Sequence, residues 1–334
     1  MTKYVVAIAL WFVAIAPLGA VAQSDERAES VERAANAGQV WFDRMAKALR
    51  SLNFEATLVQ SQGQRIQPLV WLHGSYDHNT DIELLIYLNG ADTRALRIGD
   101  QTYYYSQAGG SYTLQSDVTF GLIPPAFYKP FTQINAQYQV IASGGMRVTG
   151  RNAQYLRLIS RDDNRYHYDL WVDRESGMLL KLQMMTPQGE ILEQLQVTSI
   201  AFSEVLPEQL TEVSDIQRPP KLYDLQQLTE LQFALRPQWL PAGFELRRAH
   251  HRKLHDTPLP TDYFLYSDGL TEVSIYVTDQ RTQALPNLAL QGPESIVNAH
   301  VNGFAVTVVG KMPADTLRRI GESMTVTATQ GNPQ

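Results

Sequence analysis

Over much of this chain apolar residues return at every second position, the period of half-buried β-strands. Phe54, Ala56 and Leu58 alternate with Glu55, Thr57 and Val59. Val70-Trp71-Leu72 and Glu83 to Leu88 read as further strands, the latter stopped by Asn89-Gly90, a strong hairpin signal. Leu96-Arg97-Ile98 leads through Gly99-Asp100 into Thr102-Tyr103-Tyr104-Tyr105, another hairpin. Strand alternation puts Tyr103 and Tyr105 on one face and Tyr104 on the other. From 138 to 202, turn clusters at Gly144-Gly145, Gly150 to Asn152, Asp162 to Asn164, Arg174 to Gly177 and Pro187 to Gly189 separate four strand-length runs. These runs are Ala153 to Ser160, Arg165 to Asp173, Met178 to Thr186 and Ile191 to Phe202. Short connections between successive strands predict an antiparallel meander. In Tyr166, Tyr168, Leu170 and Val172 the apolar residues take alternate positions, so one face of this sheet is expected to be buried or to cover a ligand.

The helical period surfaces in two places. Residues 24 to 50 read as a leader helix, with Trp41, Met45, Ala48 and Leu49 on one stripe and Asp43, Arg44, Lys47 and Arg50 free to stay wet. Pro313 to Met324 reads as a closing helix, with Leu317, Ile320 and Met324 spaced at three and four. Between the meander and the later strands, residues 206 to 225 hold Pro207, Glu208, Glu212, Asp215, Arg218, Pro219, Pro220 and Lys221 without periodicity, the character of an interdomain linker. Strand signals resume at Gly243 to Leu246, Tyr263 to Tyr266, Leu270 to Val277 and Phe304 to Val309. The expected organisation is a first domain at 23–205, the linker at 206–225, a smaller second domain at 226–327 and a frayed tail at 328–334.

Residues 1 to 22 stand apart. Lys3 is their one charge, Tyr4 to Leu18 is almost wholly apolar, and Ala20-Val21-Ala22 supplies small residues for cleavage. This pattern predicts a secretory signal peptide cut after Ala22, leaving a mature chain that starts at Gln23. The run is short and broken by Pro17 and Gly19, which argues against a membrane span. Zero cysteines exclude a disulfide framework, a thiol nucleophile and a thiolate metal site, and leave nothing to carry a lipoprotein anchor. With 44% hydrophobic and 19% charged residues the chain has the means to build a core. A net charge of −6 makes it a poor general binder of nucleic acid.

The search for catalytic chemistry is negative: the chain has no Gly-x-Ser-x-Gly elbow, no His-Glu-x-x-His, no phosphate-binding loop and no dinucleotide fingerprint. Asp162-Asp163-Asn164 lacks the spaced oxygen ligands of a calcium loop and reads as a turn closed by Asx side chains. His251 and His255 are four apart, but strand-like surroundings argue against a helical zinc pair. No catalytic residue, metal ligand or cofactor site is assigned, and an enzyme is not expected. Arg247, Arg248, His250, His251, Arg252 and Lys253 form the one dense basic cluster on an acidic chain. Arg247, Arg248, Arg252 and Lys253 are the candidate contacts for an anion, either lipid phosphates or an acidic partner segment. Tyr103, Tyr104, Tyr105, Tyr112, Tyr128, Tyr155, Tyr166 and Tyr168 load the first domain and suit either a sheet core or a cavity wet at its rim.

Several stretches together resemble the RseB/MucB family of periplasmic regulators of the envelope-stress sigma factor. In the first domain these are Leu49-Arg50-Ser51-Leu52-Asn53-Phe54, Ser160 to Tyr166, Leu170 to Asp173 with Glu175-Ser176, and Gly189-Glu190 with Leu192-Glu193-Gln194. In the second they are Pro241-Ala242-Gly243-Phe244, Leu265 to Leu270, and Val306 to Gly310 with Pro313. The resemblance implies an unclosed antiparallel β-barrel wrapping helices, like the lipoprotein carriers LolA and LolB, followed by a smaller domain with its own antiparallel sheet. It implies a protein of the periplasm that binds the periplasmic part of a transmembrane anti-sigma factor and shields it from regulated proteolysis. Lipopolysaccharide or another lipid would release it, and self-association into a homodimer is a further implication. The alternative on the same half-barrel is a lipid or lipoprotein carrier of LolA type.

Overall fold

The computed structural model describes residues 19–75, 80–116, 119, 122–213, 216–221, 230–253, 260–279 and 289–326. The apolar segment expected as the core of the signal peptide lies outside these residues, and helix α1 (Gly19–Ser51) is described from just before the expected cleavage point. Among the described residues no helix is long and apolar enough to cross a membrane.

The first domain is a single antiparallel sheet that curls without closing. Its strands are β1 (Asn53–Gln62), β2 (Arg65–Ser75), β3 (Asp81–Tyr87), β4 (Thr93–Ile98), β5 (Gln101–Ser106), β6 (Tyr112–Gln115), β7 (Tyr138–Val148), β8 (Arg151–Ser160), β9 (His167–Asp173), β10 (Leu179–Met185) and β11 (Ile191–Ser203). The order β6-β5-β4-β3-β2-β1-β11-β10-β9-β8-β7 makes two meanders joined by the β1–β11 pair. β6 and β7 end the sheet unpaired with each other, so the barrel stays open. This is the unclosed barrel that the family resemblance implies.

The inner face is filled rather than hollow. Phe42, Met45 and Leu49 of α1 bury against Phe54, Ala56 and Leu58 of β1 and against Leu156, Leu158 and Leu170 across the sheet. Phe42 also meets Phe127 and Phe131 edge-on, at 5.5 and 5.4 Å, from two short 3₁₀ turns. Met45, Ala48 and Leu49 are buried as the helical stripe predicts, while Trp41 is half-buried and Phe42 is the innermost helix residue. The tyrosine alternation holds: Tyr103 and Tyr105 join an outer apolar cluster, and Tyr104 packs inward and stacks on Tyr112 at 4.9 Å.

Burial on β9 extends to both faces. Tyr168, Leu170 and Val172 point inward, and Trp171 packs outward with Ala153 and Leu180. The outer face of β2 to β5 is covered too. Within the stretch expected as a linker, α2 (Glu208–Val213) presses Leu210, with Leu206 and Val213, onto Leu72, Leu84, Leu96 and Tyr103. The chain then runs along edge strand β6: Thr113 donates from its amide to the Pro220 carbonyl at 2.8 Å and from its hydroxyl to the Pro219 carbonyl at 2.6 Å. The described part of this connector is therefore docked on the first domain and shields an exposed sheet edge.

The second domain has a six-stranded antiparallel sheet built from β13 (Glu245–Lys253), β14 (Pro260–Ser267), β15 (Glu272–Asp279), β16 (Ala289–Leu290), β17 (Ser295–Val301) and β18 (Phe304–Gly310), in the order β13-β14-β15-β18-β17-β16. A two-stranded pair joins β12 (Leu235–Pro237) to β19 (Met324–Val326). Helix α3 (Ala314–Glu322) buries Leu317 and Ile320 with Met324 against Val297, Val306 and Val308. This is the closing helix read from the sequence at Pro313 to Met324, except that it ends at Glu322 and Met324 begins β19.

Candidate functional site

The two sheets meet at a junction built around one arginine. Ser160 to Asn164 forms an Asx turn: the Asp162 carboxylate accepts from the Asn164 amide at 3.0 Å. The turn aims Arg165 into the second domain, where it is 1% exposed. Its Nε donates to Asp268 Oδ2 at 2.6 Å, and its terminal nitrogens donate to Asp162 Oδ2 and to the Ala242 carbonyl. Asp268 is equally committed, since its other oxygen accepts from the amides of Leu270 and Thr271 at 3.0 and 2.8 Å. The Arg165 guanidinium also lies 5.3 Å from the Phe244 ring centroid. Gly243, at φ +85°, abuts the Gln137 side chain so closely that a Cβ there would stand 2.1 Å from Gln137 Nε2. A buried ion pair of this kind is costly to break from one side, by about 3–5 kcal/mol.

Two further ties flank it. The Tyr166 hydroxyl lies 3.1 Å from the Gly292 carbonyl, to which it donates, and 3.2 Å from Ser295 Oγ. Lys311 Nζ meets Glu193 Oε2 at 3.0 Å. Leu270 leaves its own domain's core and joins the apolar core of the half-barrel.

Beside these ties the junction opens into a cleft of about 630 Å³, within the size range of ligand sites. Leu122, Ile123, Pro124 and Pro125 form its apolar wall, and Tyr168 and Leu270 its floor. Arg65, Lys311, Glu272 and Glu294 supply its charges. Surrounding protein pushes the Glu272 carboxyl up, although the side chain still touches solvent, and nearby Arg248 and Arg247 oppose that shift. A second pocket of about 170 Å³ adjoins the cleft, sharing Gln62 and Arg65 with it and adding Gln60, Gln67 and Tyr87. Burial raises the Tyr87 hydroxyl, and the charge of Arg65, which lines the same pocket, pulls against the rise.

Similarity to known proteins follows this architecture. The family model for the MucB/RseB N-terminal domain matches residues 37–222, and that for the MucB/RseB C-terminal domain matches residues 229–325. The chain belongs to the MucB/RseB family. The sigma factor AlgU regulatory protein MucB of Pseudomonas aeruginosa is 30% identical over 293 residues, which cover 85% of this chain and 89% of that protein. The sigma-E factor regulatory protein RseB of Haemophilus influenzae is 28% identical over 280 residues, covering 84% and 88%. A crystal structure of MucB in complex with MucA(peri) superposes with a TM-score of 0.71 at 25% identity, covering 87% of this chain and all of that one. The family is thus one of sigma-factor regulatory proteins.

Three of the stretches that carry the family resemblance converge on the junction. Ser160 to Tyr166 supplies Arg165 and Tyr166, Pro241 to Phe244 supplies the Ala242 carbonyl and the Phe244 ring, and Leu265 to Leu270 supplies Asp268. The Asp162 turn and the Ser267-Asp268-Gly269 turn are structural, and they serve to join the domains.

The basic cluster is divided by the strand it sits on. β13 is the outer strand of its sheet, with a bulge between Leu246 and Arg248. Arg247 and Arg248 are exposed at its start, with Arg247 3.3 Å from Glu245. His250 and His251 are buried instead, and His251 Nδ1 lies 2.7 Å from Asp262 Oδ1. Arg252 and Lys253 continue the strand opposite Thr261 and Pro260, but their side chains lie outside the described residues, as does His255. Among the described residues no three His, Asp or Glu side chains converge as metal ligands would. The sequence reading did not single out Gln60, Gln62, Arg65 and Gln67. Their one signal was polarity at inward positions of strands whose neighbouring inward positions are apolar.

Proposed function

We propose that this protein is a periplasmic negative regulator of an envelope-stress sigma factor. It binds the periplasmic domain of a transmembrane anti-sigma factor in the interdomain cleft and shields that domain from regulated proteolysis. The observation that carries this reading is the cleft itself, walled by both domains, in a chain similar along nearly its whole mature length to MucB crystallised with MucA(peri). The export signal expected in residues 1–22 supports a location in the compartment where that domain would be met. Release by lipopolysaccharide or another lipid follows as linked binding: a ligand that favours the unbound regulator lowers partner affinity by its differential affinity for the two states.

The half-barrel interior supports a regulator over a LolA-type carrier. A carrier needs an open lipid cavity, whereas here Phe42, Met45, Phe127 and Phe131 occupy the inner face. Arg247 and Arg248, exposed at the start of the outer strand β13 and acting electrostatically on Glu272 of the cleft, are the first candidates for the acidic partner or lipid phosphate, with Arg252 and Lys253 further along the same strand. The test is calorimetric titration of the full mature chain with the periplasmic domain of the same organism's MucA-like protein, with and without lipopolysaccharide fragments. Binding that weakens when lipopolysaccharide is added, and weakens with a shallower salt dependence in the double variant Arg247→Glu/Arg248→Glu, is the expected result. No binding in either condition would sink the proposal.

A further inference from the structure

The inner face of the half-barrel changes character within one step of the strand register. Along β1 the inward residues are Phe54, Ala56 and Leu58, all in the core, and then Gln60 and Gln62. Along β2 they are Trp71 and Leu69, then Gln67 and Arg65. Leu58 stands opposite Leu69, and the next inward pair along the same two strands is Gln60 opposite Gln67. Core gives way to carboxamides with no intervening surface.

One of these groups is fixed and the other three are available. Gln60 Nε2 donates to Glu193 Oε1 at 2.5 Å, and Glu193, itself buried, takes Lys311 from the second domain on its other oxygen. The second domain therefore holds the pocket of the first in shape. Gln67 is 8% exposed, and its Nε2 lies 3.4 Å from the adjacent Pro68 carbonyl, a marginal hydrogen bond. A carboxamide has two donors and one strong acceptor, so most of the bonding capacity of Gln67 faces the pocket. Arg65 is exposed at the mouth and, among the described residues, has no carboxylate partner.

We propose that this pocket seats an extended stretch of the anti-sigma partner that carries an acidic side chain, a reading that rests on the function proposed above. Gln62 and Gln67 pair with the main-chain amides of the segment, and Arg65 takes its carboxylate. A carboxamide offers the same donor and acceptor as a peptide group, which suits main-chain recognition. β1, β2 and β3 are interior strands, so their own main chains are engaged and recognition falls to side chains. The planar fork of an arginine matches a carboxylate bidentately, which a lysine does not. The pocket shares Gln62 and Arg65 with the larger cleft, so the two adjoin as a site for an extended chain requires.

The experiment places p-benzoylphenylalanine at Gln62 of the full mature chain and irradiates it with the periplasmic domain of the same organism's MucA-like protein, with lipopolysaccharide vesicles as a separate arm. Affinities of Arg65→Glu, Arg65→Lys and Gln67→Leu are measured alongside, with melting temperatures as the folding control. The expected result is a crosslink to an acidic segment of the partner. Arg65→Glu loses about tenfold or more in affinity, Arg65→Lys loses less, and melting stays unchanged, as for a contact that matters to binding and not to folding. A parent chain that binds while Arg65→Glu and Gln67→Leu bind equally well overturns the pocket assignment and leaves the regulator reading standing. A crosslink to lipopolysaccharide in place of the peptide also overturns it. Failure of the parent chain to bind the partner overturns both.

Discussion

Two polar clusters occupy opposite ends of the same inner sheet face, and they differ in one property. At one end His73, Glu83 and Arg97 stand directly across from one another on β2, β3 and β4. Glu83 is 0% exposed and Arg97 2%. Every group there is engaged. Arg97 Nε donates to Glu83 at 3.0 Å, its terminal nitrogens reach both Asp81 oxygens at 2.9 and 2.8 Å, and Trp71 Nε1 and Thr119 Oγ1 complete Glu83. His73 Nδ1 reaches the Leu52 carbonyl at 2.7 Å, where α1 has just ended. At the other end, Gln62, Gln67 and Arg65 face a pocket with much of their bonding capacity unused. Polarity inside a half-barrel therefore does not mark a ligand site. Saturation of its hydrogen bonds separates a structural clamp from a recognition surface.

The sharpest way to break this contrast is to remove a member of the closed cluster. Arg97→Met leaves Glu83 buried without its cation and is expected to cost about 3–5 kcal/mol in urea unfolding. The double variant Arg97→Met/Glu83→Leu should recover a large part of that loss, because the uncompensated charge goes with it. A single-variant cost below about 1 kcal/mol would mean that the cluster is not the clamp its bonding suggests.

While the open barrel came from the family resemblance, strand alternation made the antiparallel meander and its buried face legible in the sequence, because period two fixes which residues share a face. It separated Tyr104 from Tyr103 and Tyr105 correctly. It says nothing of what lies beyond each face, so the double burial of β9 came only with the packing of Trp171. The docked connector was hidden for a similar reason. Leu206, Leu210 and Val213 have helical spacing, but the acids and prolines around them dominate the composition of the stretch. Arg165 and Asp268 are 103 residues apart, and no local period connects them. The stretches that contain them were singled out, while their pairing was not. The basic run read as one cluster divides once β13 forms, because strand burial acts on each residue separately and encloses His250 and His251.

Acid sharpens the comparison next. Burial alone would raise the Asp81 carboxyl, but hydrogen bonds from His73 and Arg97, with the Arg97 charge, outweigh it and hold the group well below the usual carboxylate range. A carboxyl depressed on folding contributes stability that is complete above its unfolded value of about 4 and is lost as pH falls through the range below that. The urea midpoint should therefore drop as pH is lowered from about 5 toward about 2.5. In Asp81→Asn the midpoint should start lower and fall less steeply over that interval. Parallel curves for the two proteins would remove Asp81 from the clamp.

The smallest effect is the most discriminating, because it compares two carboxamides that face each other across one register. Gln60 donates to the buried Glu193 carboxylate, so Gln60→Leu removes a hydrogen bond to a charge and should cost about 1.5–3 kcal/mol. Among the described residues the Gln67 side chain has only its marginal contact with the Pro68 carbonyl. Replacing it by leucine extends the apolar surface that Leu69 and Leu58 already form, so the expected change is within about 0.5 kcal/mol and either sign is acceptable. Denaturation curves for the two variants measure the difference directly. Equal, substantial losses would show that both glutamines are bound into a second closed network, and the pocket would then be clamp at both ends. A loss confined to Gln60 leaves Gln67 as a buried polar group that folding does not require, which is the condition for a residue kept to meet something outside its own chain.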